Sequence, residues 1–184
     1  MSLNLERFSN KTRVVISGKE DRKQVSELLL FVIKFLGNNI DYITEKQNIV
    51  LGNDFVVFEV DENHDDFLSI KPNIAAITGN EDDSEKIELL LKTITPGGIL
   101  IYNEEDENLK DLVENAENYF RRIPYKTPAF QISNQTIYLN TDLGEVPLNF
   151  AAENISFVSA VKHLCQHMGI QQEEFYEALM NFEG

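Results

Sequence analysis

The stretch TRVVISGKEDRKQVSELLLFVIKFLG, residues 12–37, decides the fold. Its first six residues are β-branched and apolar enough to predict a strand over 12–17. Val25, Leu28, Leu29, Val32, Ile33 and Leu36 then recur at helical spacing and predict a helix over 22–36. A strand, a glycine and a helix are the layout of a phosphate-binding loop. In such a loop glycine lets backbone N–H groups wrap the phosphates, a lysine reaches the outer phosphates, and a Ser/Thr hydroxyl holds Mg2+. Here the loop reads Gly18-Lys19-Glu20-Asp21-Arg22-Lys23-Gln24, and only its first glycine is in place. The plain reading is a strand-to-helix turn carrying solvated charges. Against it stands the basic run Lys11, Arg13, Lys19, Arg22 and Lys23, a spot able to hold an anion at a helix N-terminus.

Working outward, short apolar runs predict strands over 39–43, 54–60, 74–78, 99–102 and 121–125. Helical patterns over 82–94 and 105–119 separate the later ones, and Pro96-Gly97-Gly98 turns the chain into the strand at 99. Near-continuous apolar strands alternating with helices predict a mainly parallel sheet covered on both faces. Its crossovers are right-handed, and ligands gather at the carboxyl ends of its strands. From residue 130 the pattern becomes three short alternating segments, 130–133, 135–139 and 145–149, with turn residues Asn134 and Asp142-Leu143-Gly144. These predict a small antiparallel addition. Helices over 154–168, stopped by Gly169, and over 172–182 close the chain.

The fold class expected is therefore α/β: a three-layer, P-loop-type domain with a mainly parallel central sheet plus a small antiparallel β segment. One domain over 4–182 is expected, with an α/β core at 4–125, the β addition at 126–150 and closing helices at 151–182. Residues 1–3 and 183–184 have the look of expression remnants.

The 184 residues, 42% of them hydrophobic, suffice for one sizeable core. The net charge of −15 repels phosphate backbones and anionic headgroups, so neither nucleic acid nor membrane is expected as a partner. No apolar run approaches the ~20 residues that span a bilayer. A lone cysteine, Cys165, excludes an internal disulfide and fits the cytoplasm.

Three further clusters carry candidate chemistry. Glu59-Val60-Asp61-Glu62-Asn63-His64-Asp65-Asp66 follows a predicted strand, and its carboxylates could ligate Mg2+ or simply be solvated. Glu81-Asp82-Asp83-Ser84 precedes a helix and most simply caps it. His163 and His167 stand four apart on one predicted helix, a spacing that can hold zinc, but no third ligand is evident. Cys165 between them reads as a core residue.

In this order the segments KTRVVISG, FEVDEN, KPNIAAITG, GGILIYNEED, IPYKTPAF and KHLCQHMGIQQEEFYEALMNF resemble the central, ATP-binding domain of the Mur ligases. Those are the ATP-dependent ligases that add amino acids or peptides to UDP-N-acetylmuramic acid. The resemblance is nearest to the branch joining UDP-N-acetylmuramate to alanine or to a recycled murein tripeptide. It runs over nearly all of residues 11–182 and implies a bacterial protein of peptidoglycan biosynthesis or recycling. The family's loop resembles G-x-x-G-K-T-T: Gly18 matches the first glycine, and Asp21, Arg22, Lys23 and Gln24 replace the rest. The glutamate that helps hold the catalytic metal matches Glu59. The family's Asp-His pair falls on Asp83-Ser84, and its His-Asn pair on Glu153-Asn154. The spacer between the second and third strands is also short against the family.

What the resemblance implies for site residues is thus a remnant nucleotide site at Gly18, Lys19, Arg22, Lys23 and Asn154, with Glu59 left to the metal and no catalytic residue. An aspartate at the loop's second glycine adds a carboxylate where phosphate would sit. Like charges ~4 Å apart cost about 1 kcal/mol in water and about 4 kcal/mol at an effective dielectric of 20. Neither ATP nor Mg2+ is expected to bind with useful affinity, so the chain is expected to be a pseudoenzyme of a C–N ligase family. Two alternatives stand beside this. One is a drifted but working ligase, using ATP and Mg2+, whose UDP-sugar and C-terminal domains lie outside this sequence. The other is a non-enzymatic interaction module that binds a UDP-muramyl precursor or other Mur-type domains.

Overall fold

In the computed structural model, residues 5–19, 21–44, 46–60, 68–79, 84–150 and 155–184 are described. Strand β1 (Thr12–Ser17) lies at the centre of a seven-stranded sheet. Around it are β2 (Asp41–Ile43), β3 (Asn48–Ile49), β4 (Phe55–Glu59), β5 (Ile74–Ile77), β6 (Gly98–Asn103) and β7 (Phe120–Tyr125), in the order β3-β2-β4-β1-β5-β6-β7. All neighbours run parallel except the two-residue β3, which turns back antiparallel on β2. β5 is buried at every position, as expected of a strand covered on both faces.

Helices form the outer layers. On one face lie α1 (Arg22–Phe35), α4 (Ser156–His167) and α5 (Gln172–Met180), which share a core with Val14, Ile16, Val57, Ala76 and Ile101. On the other lie α2 (Ser84–Thr93) and α3 (Glu107–Glu114), packed with Val15, Val56, Phe58, Ala75 and Leu100. Alternate residues of β1 thus face opposite cores, as the pleat requires. Helix α1 buries Val25, Leu28, Leu29, Val32 and Ile33. It ends at Gly37, whose φ of 72° lets the N–H of Asn38 reach back to the carbonyl of Ile33 at 3.0 Å.

The antiparallel addition is a separate sheet of β8 (Phe130–Ser133), β9 (Thr136–Thr141) and β10 (Gly144–Leu148), in the order β10-β9-β8. It packs Ile137, Leu139, Val146 and Leu148 into the α4–α5 core. Most boundaries shift by a residue or two from the sequence expectation, and two of the differences have a visible cause. Gln135 belongs to the turn, not the strand: Asn134 and Gln135 both take positive φ, 49° and 68°, as a two-residue hairpin loop requires. Helix α3 stops at Glu114 and not at residue 119, because Arg122 caps it, donating to the carbonyls of Val113 and Ala116 at 3.0 and 2.8 Å. No helix among the described residues is long and apolar enough to cross a membrane.

Candidate functional site

After β1 the chain goes to one side of the sheet, and after β4 it crosses to the other, so β4 and β5 flank β1. Open α/β sheets bind ligands at such a reversal, at the carboxyl ends of the strands. Gly18 stands there, directly after β1, with φ of 125°. A Cβ at this position would lie 2.2 Å from Oγ1 of Thr78 and 3.0 Å from its backbone N. The glycine is therefore required by the close approach of the β1 and β5 ends.

Glu59 ends β4 and pairs in register with Ile16, and the N–H of Val60 donates to Ile16 at 3.0 Å. The acidic segment thus begins beside the Gly18 loop, as the topology predicts. Residues 61–66 lie outside the described residues, as do Glu20, Asp83, Glu153 and the candidate Asn154.

Arg22, the first residue of α1, folds back over the loop. Its Nη1 donates to the carbonyls of Gly18 and Val60, each at 3.3 Å, and its Nε lies 3.6 Å from Oε1 of Glu59. The other Glu59 oxygen accepts from the hydroxyl of Tyr42 on β2. Burial, and then the neighbouring Glu59, push the Tyr42 hydroxyl well above its ordinary pKa, so it is a donor throughout the physiological range. The Glu59 carboxylate is therefore engaged by a neighbouring cation and a phenol.

Asp21 precedes α1 and is buried, but its side chain does not cap that helix. It turns inward and accepts from the hydroxyl of Ser156, the first residue of α4, at 2.7 Å. The Asp21 carboxylate is thus held at the start of another helix, where backbone N–H groups favour negative charge.

The basic run does not gather into one spot. Lys11 and Arg13 lie toward the amino end of β1, roughly 20 Å of strand away from Lys19. Lys11 pairs with Asp41 at 2.6 Å, and Arg13 Nε donates to the carbonyl of Lys71 at 3.0 Å. Only Lys19, Arg22 and Lys23 remain at the carboxyl edge. Lys23 points into solvent, 3.5 Å from Glu27.

Ser84 opens α2 and lines a cleft of about 860 Å³ between α2 and α3. Among the described residues no three His, Cys, Asp or Glu side chains group as a metal site. Burial lowers the pKa of His163 and of His167, and it pushes the Cys165 thiol up to about 12. Cys165 packs in the core with α1 and α5, as its sequence context suggested. Tyr42, Thr78 and Ser156 were not singled out from the sequence. Tyr42 sits inside an apolar strand, and Ser156 looks like any helix-start serine.

No family model and no curated protein sequence matches the chain. Solved structures do. The UDP-N-acetylmuramoylalanyl-D-glutamyl-2,6-diaminopimelate–D-alanyl-D-alanyl ligase of Acinetobacter baumannii superposes with a TM-score of 0.76, covering 98% of this chain and 48% of that one at 15% identity. The fold is shared with the Mur ligases. The UDP-N-acetylmuramate:L-alanyl-gamma-D-glutamyl-meso-diaminopimelate ligase of Neisseria meningitides gives 0.73, over 95% of this chain and 67% of that one, at 14% identity. The UDP-N-acetylmuramate-alanine ligase of Thermotoga maritima gives 0.72, over 98% and 46%, at 19%. The chain spans about half the length of two of these Mur ligases.

Proposed function

We propose that this chain is a Mur ligase-like domain whose nucleotide site has become degenerate and that it does not itself catalyse ligation. The observation that carries this reading is the placement of Arg22. In a working phosphate loop that position supplies a lysine to the outer phosphates, and the nearby glutamate helps hold Mg2+. Here the guanidinium is drawn onto the carbonyls of Gly18 and Val60 and toward Glu59, so the protein's own cation stands beside the carboxylate a metal would need. The residues present do not fit Mg-ATP. A divalent ion would have to displace Arg22, and the place of the second loop glycine is taken by Asp21, whose carboxylate is committed to Ser156. Arginine's planar fork is also a poor substitute for lysine inside a curled loop.

On this reading the domain is a bacterial, cytoplasmic scaffold related to peptidoglycan biosynthesis, and its partners are a UDP-muramyl precursor or other Mur-type domains. Isothermal titration with Mg-ATP tests it. No saturable binding tighter than about 100 μM is expected, which is about −5.5 kcal/mol on the affinity scale. A saturable, magnesium-dependent curve in the low micromolar range would overturn the reading in favour of a drifted but working ligase. The reciprocal variant combines Asp21→Gly, Arg22→Lys, Lys23→Thr and Ser84→His. Nucleotide binding restored only in that combination supports a kept shape with lost chemistry.

A further inference from the structure

Among the described residues the two sheets end in four edge strands, and three of them are protected against pairing with another chain. β3 is only two residues long. β7 exposes Arg121, Arg122 and Pro124. β10 carries Glu145 and Pro147 and packs beside α5. Short length, charge and proline are the devices by which natural sheets avoid edge-to-edge association. β8 has none of them: its sequence is Phe-Gln-Ile-Ser, and all four residues are exposed.

The register of β8 makes this bare edge self-complementary. The N–H of Asn140 donates to the carbonyl of Ala129 at 2.9 Å, and antiparallel ladders alternate from such a pair. Gln131 and Ser133 therefore turn their backbone groups toward β9, while Phe130 and Ile132 turn theirs toward the open edge. Phe130 pairs with Leu139 and Ile132 with Ile137, so both side chains lie on the face that continues the core. Yet they remain 43% and 66% exposed. The apolar face of the small sheet simply runs on past the body that covers it.

We infer that β8 joins a second copy of this chain, antiparallel, about a two-fold axis through Gln131. The two small sheets then become one sheet of six strands. Phe130 of each copy exchanges both backbone hydrogen bonds with Ile132 of the other, and the two side chains meet as an aromatic–β-branched cross-strand pair. Gln131 faces Gln131 on the opposite side, tied back within its own copy to Oε1 of Glu145 at 2.6 Å. No charged side chain lies on the joined strands. This interaction is independent of the nucleotide site.

Four residues per edge bury far less than the ~1,200 Å² of a standard interface, so a weak dimer with a dissociation constant on the order of 100 μM is expected. Each copy carries a net charge of −15, so added salt should tighten it. Sedimentation equilibrium of the 184-residue chain, from about 20 μM to about 1 mM, should follow a monomer–dimer equilibrium in that range. Ile132→Lys should weaken association at least tenfold while leaving the thermal melt unchanged, because the position is exposed. Gln131→Cys supplies an independent readout. Opposite itself in a non-hydrogen-bonded pair, its Cα atoms would stand about 4.5 Å apart, within disulfide range. Mild oxidation should give a covalent dimer much faster than for Gln135→Cys in the adjacent turn, and the buried Cys165 does not compete. A chain still monomeric at the highest concentration overturns the inference, including the case in which the edge accepts a strand from some other protein. So does a dimer indifferent to Ile132→Lys, or equal cross-linking of the two cysteine variants.

Discussion

Both ends of β1 set a basic side chain against a carboxylate, and the two pairs are built differently. At the amino end Lys11 meets Asp41 at 2.6 Å, and the same ammonium donates to the carbonyl of Asn53. The second Asp41 oxygen accepts from the backbone N–H groups of Leu51, Gly52 and Asn53 and from the Asn53 side chain, at 2.8–3.3 Å. At the carboxyl end the Arg22–Glu59 distance is 3.6 Å and the guanidinium's bonds are 3.3 Å long. The first pair is short, with its carboxylate fully buried and saturated with donors, which marks it as scaffold. The second is looser and partly open, at the sheet edge where α/β folds place ligands. One end of the strand is thus braced by a saturated carboxylate, and the other ends in a more open arrangement of side chains.

The comparison is most easily broken at Asp41. Asp41→Ala should cost about 3 kcal/mol in urea unfolding, because it strands a half-buried ammonium and several backbone donors together. Asp41→Asn keeps an acceptor for the loop and should cost less. Burial alone would raise the Asp41 pKa, but Lys11 and the N–H groups of Leu51 and Asn53 bring it down to about 2. Since its folded pKa lies below the unfolded one, its contribution is complete above about pH 4 and is lost as pH falls through about 2. That contribution is about 2 kcal/mol. Asp41→Asn should flatten this part of the acid limb. An unchanged acid limb would show that the amino-end pair is no tighter than the one at the other end.

Much of the frame was legible in the sequence, for a physical reason. β1 and β5 are continuous apolar runs that need cover on both faces, the first helix carries a period-3.6 apolar pattern, and the turn residues at 134 and 144 declare the hairpins. The reversal from helix to turn at residue 115 was not legible, because the cap comes from Arg122 on the following strand. The site divides similarly. Gly18, Arg22 and Glu59 could be singled out because each stands at a strand end or helix start along the chain, and the structure sets the three side by side. Tyr42 and Ser156 were not, since each acts on a residue far away in sequence. The basic run failed for a related reason: a strand separates its members in space, and Lys11 finds Asp41 thirty positions on.

A middle-sized effect is expected at Ser156. Ser156→Ala removes the hydroxyl that donates to buried Asp21 and should cost about 1–2 kcal/mol. The same substitution in an Asp21→Gly background should cost much less, because the carboxylate is then gone. A double-mutant cycle measures the difference. Additive effects would mean that Ser156 matters as the opening residue of α4 and not as the partner of the loop aspartate. A strong coupling would give the carboxyl end one scaffold-like contact, and the contrast with Asp41 would narrow to Arg22 alone.

The smallest effect is expected at Lys23. Its ammonium lies 3.5 Å from Glu27, but the two side chains are 78% and 51% exposed. Such pairs contribute little, and this one has the less favourable order, with lysine on the N-terminal side of glutamate. A cation in the first turn of α1 also opposes the helix dipole. These terms nearly cancel, so Lys23→Ala should change stability by no more than ~0.5 kcal/mol in urea unfolding. Whatever difference appears should shrink in high salt, since exposed charges are screened over distances near the Debye length, ~10 Å at 0.1 M. The Lys11 pair, being buried, should keep most of its contribution under the same conditions. A loss above about 1 kcal/mol for Lys23→Ala that survives high salt would place Lys23 in a fixed network like that of Lys11. The carboxyl end of β1 would then be as tightly built as the amino end, and the division between scaffold and site along this strand would fail.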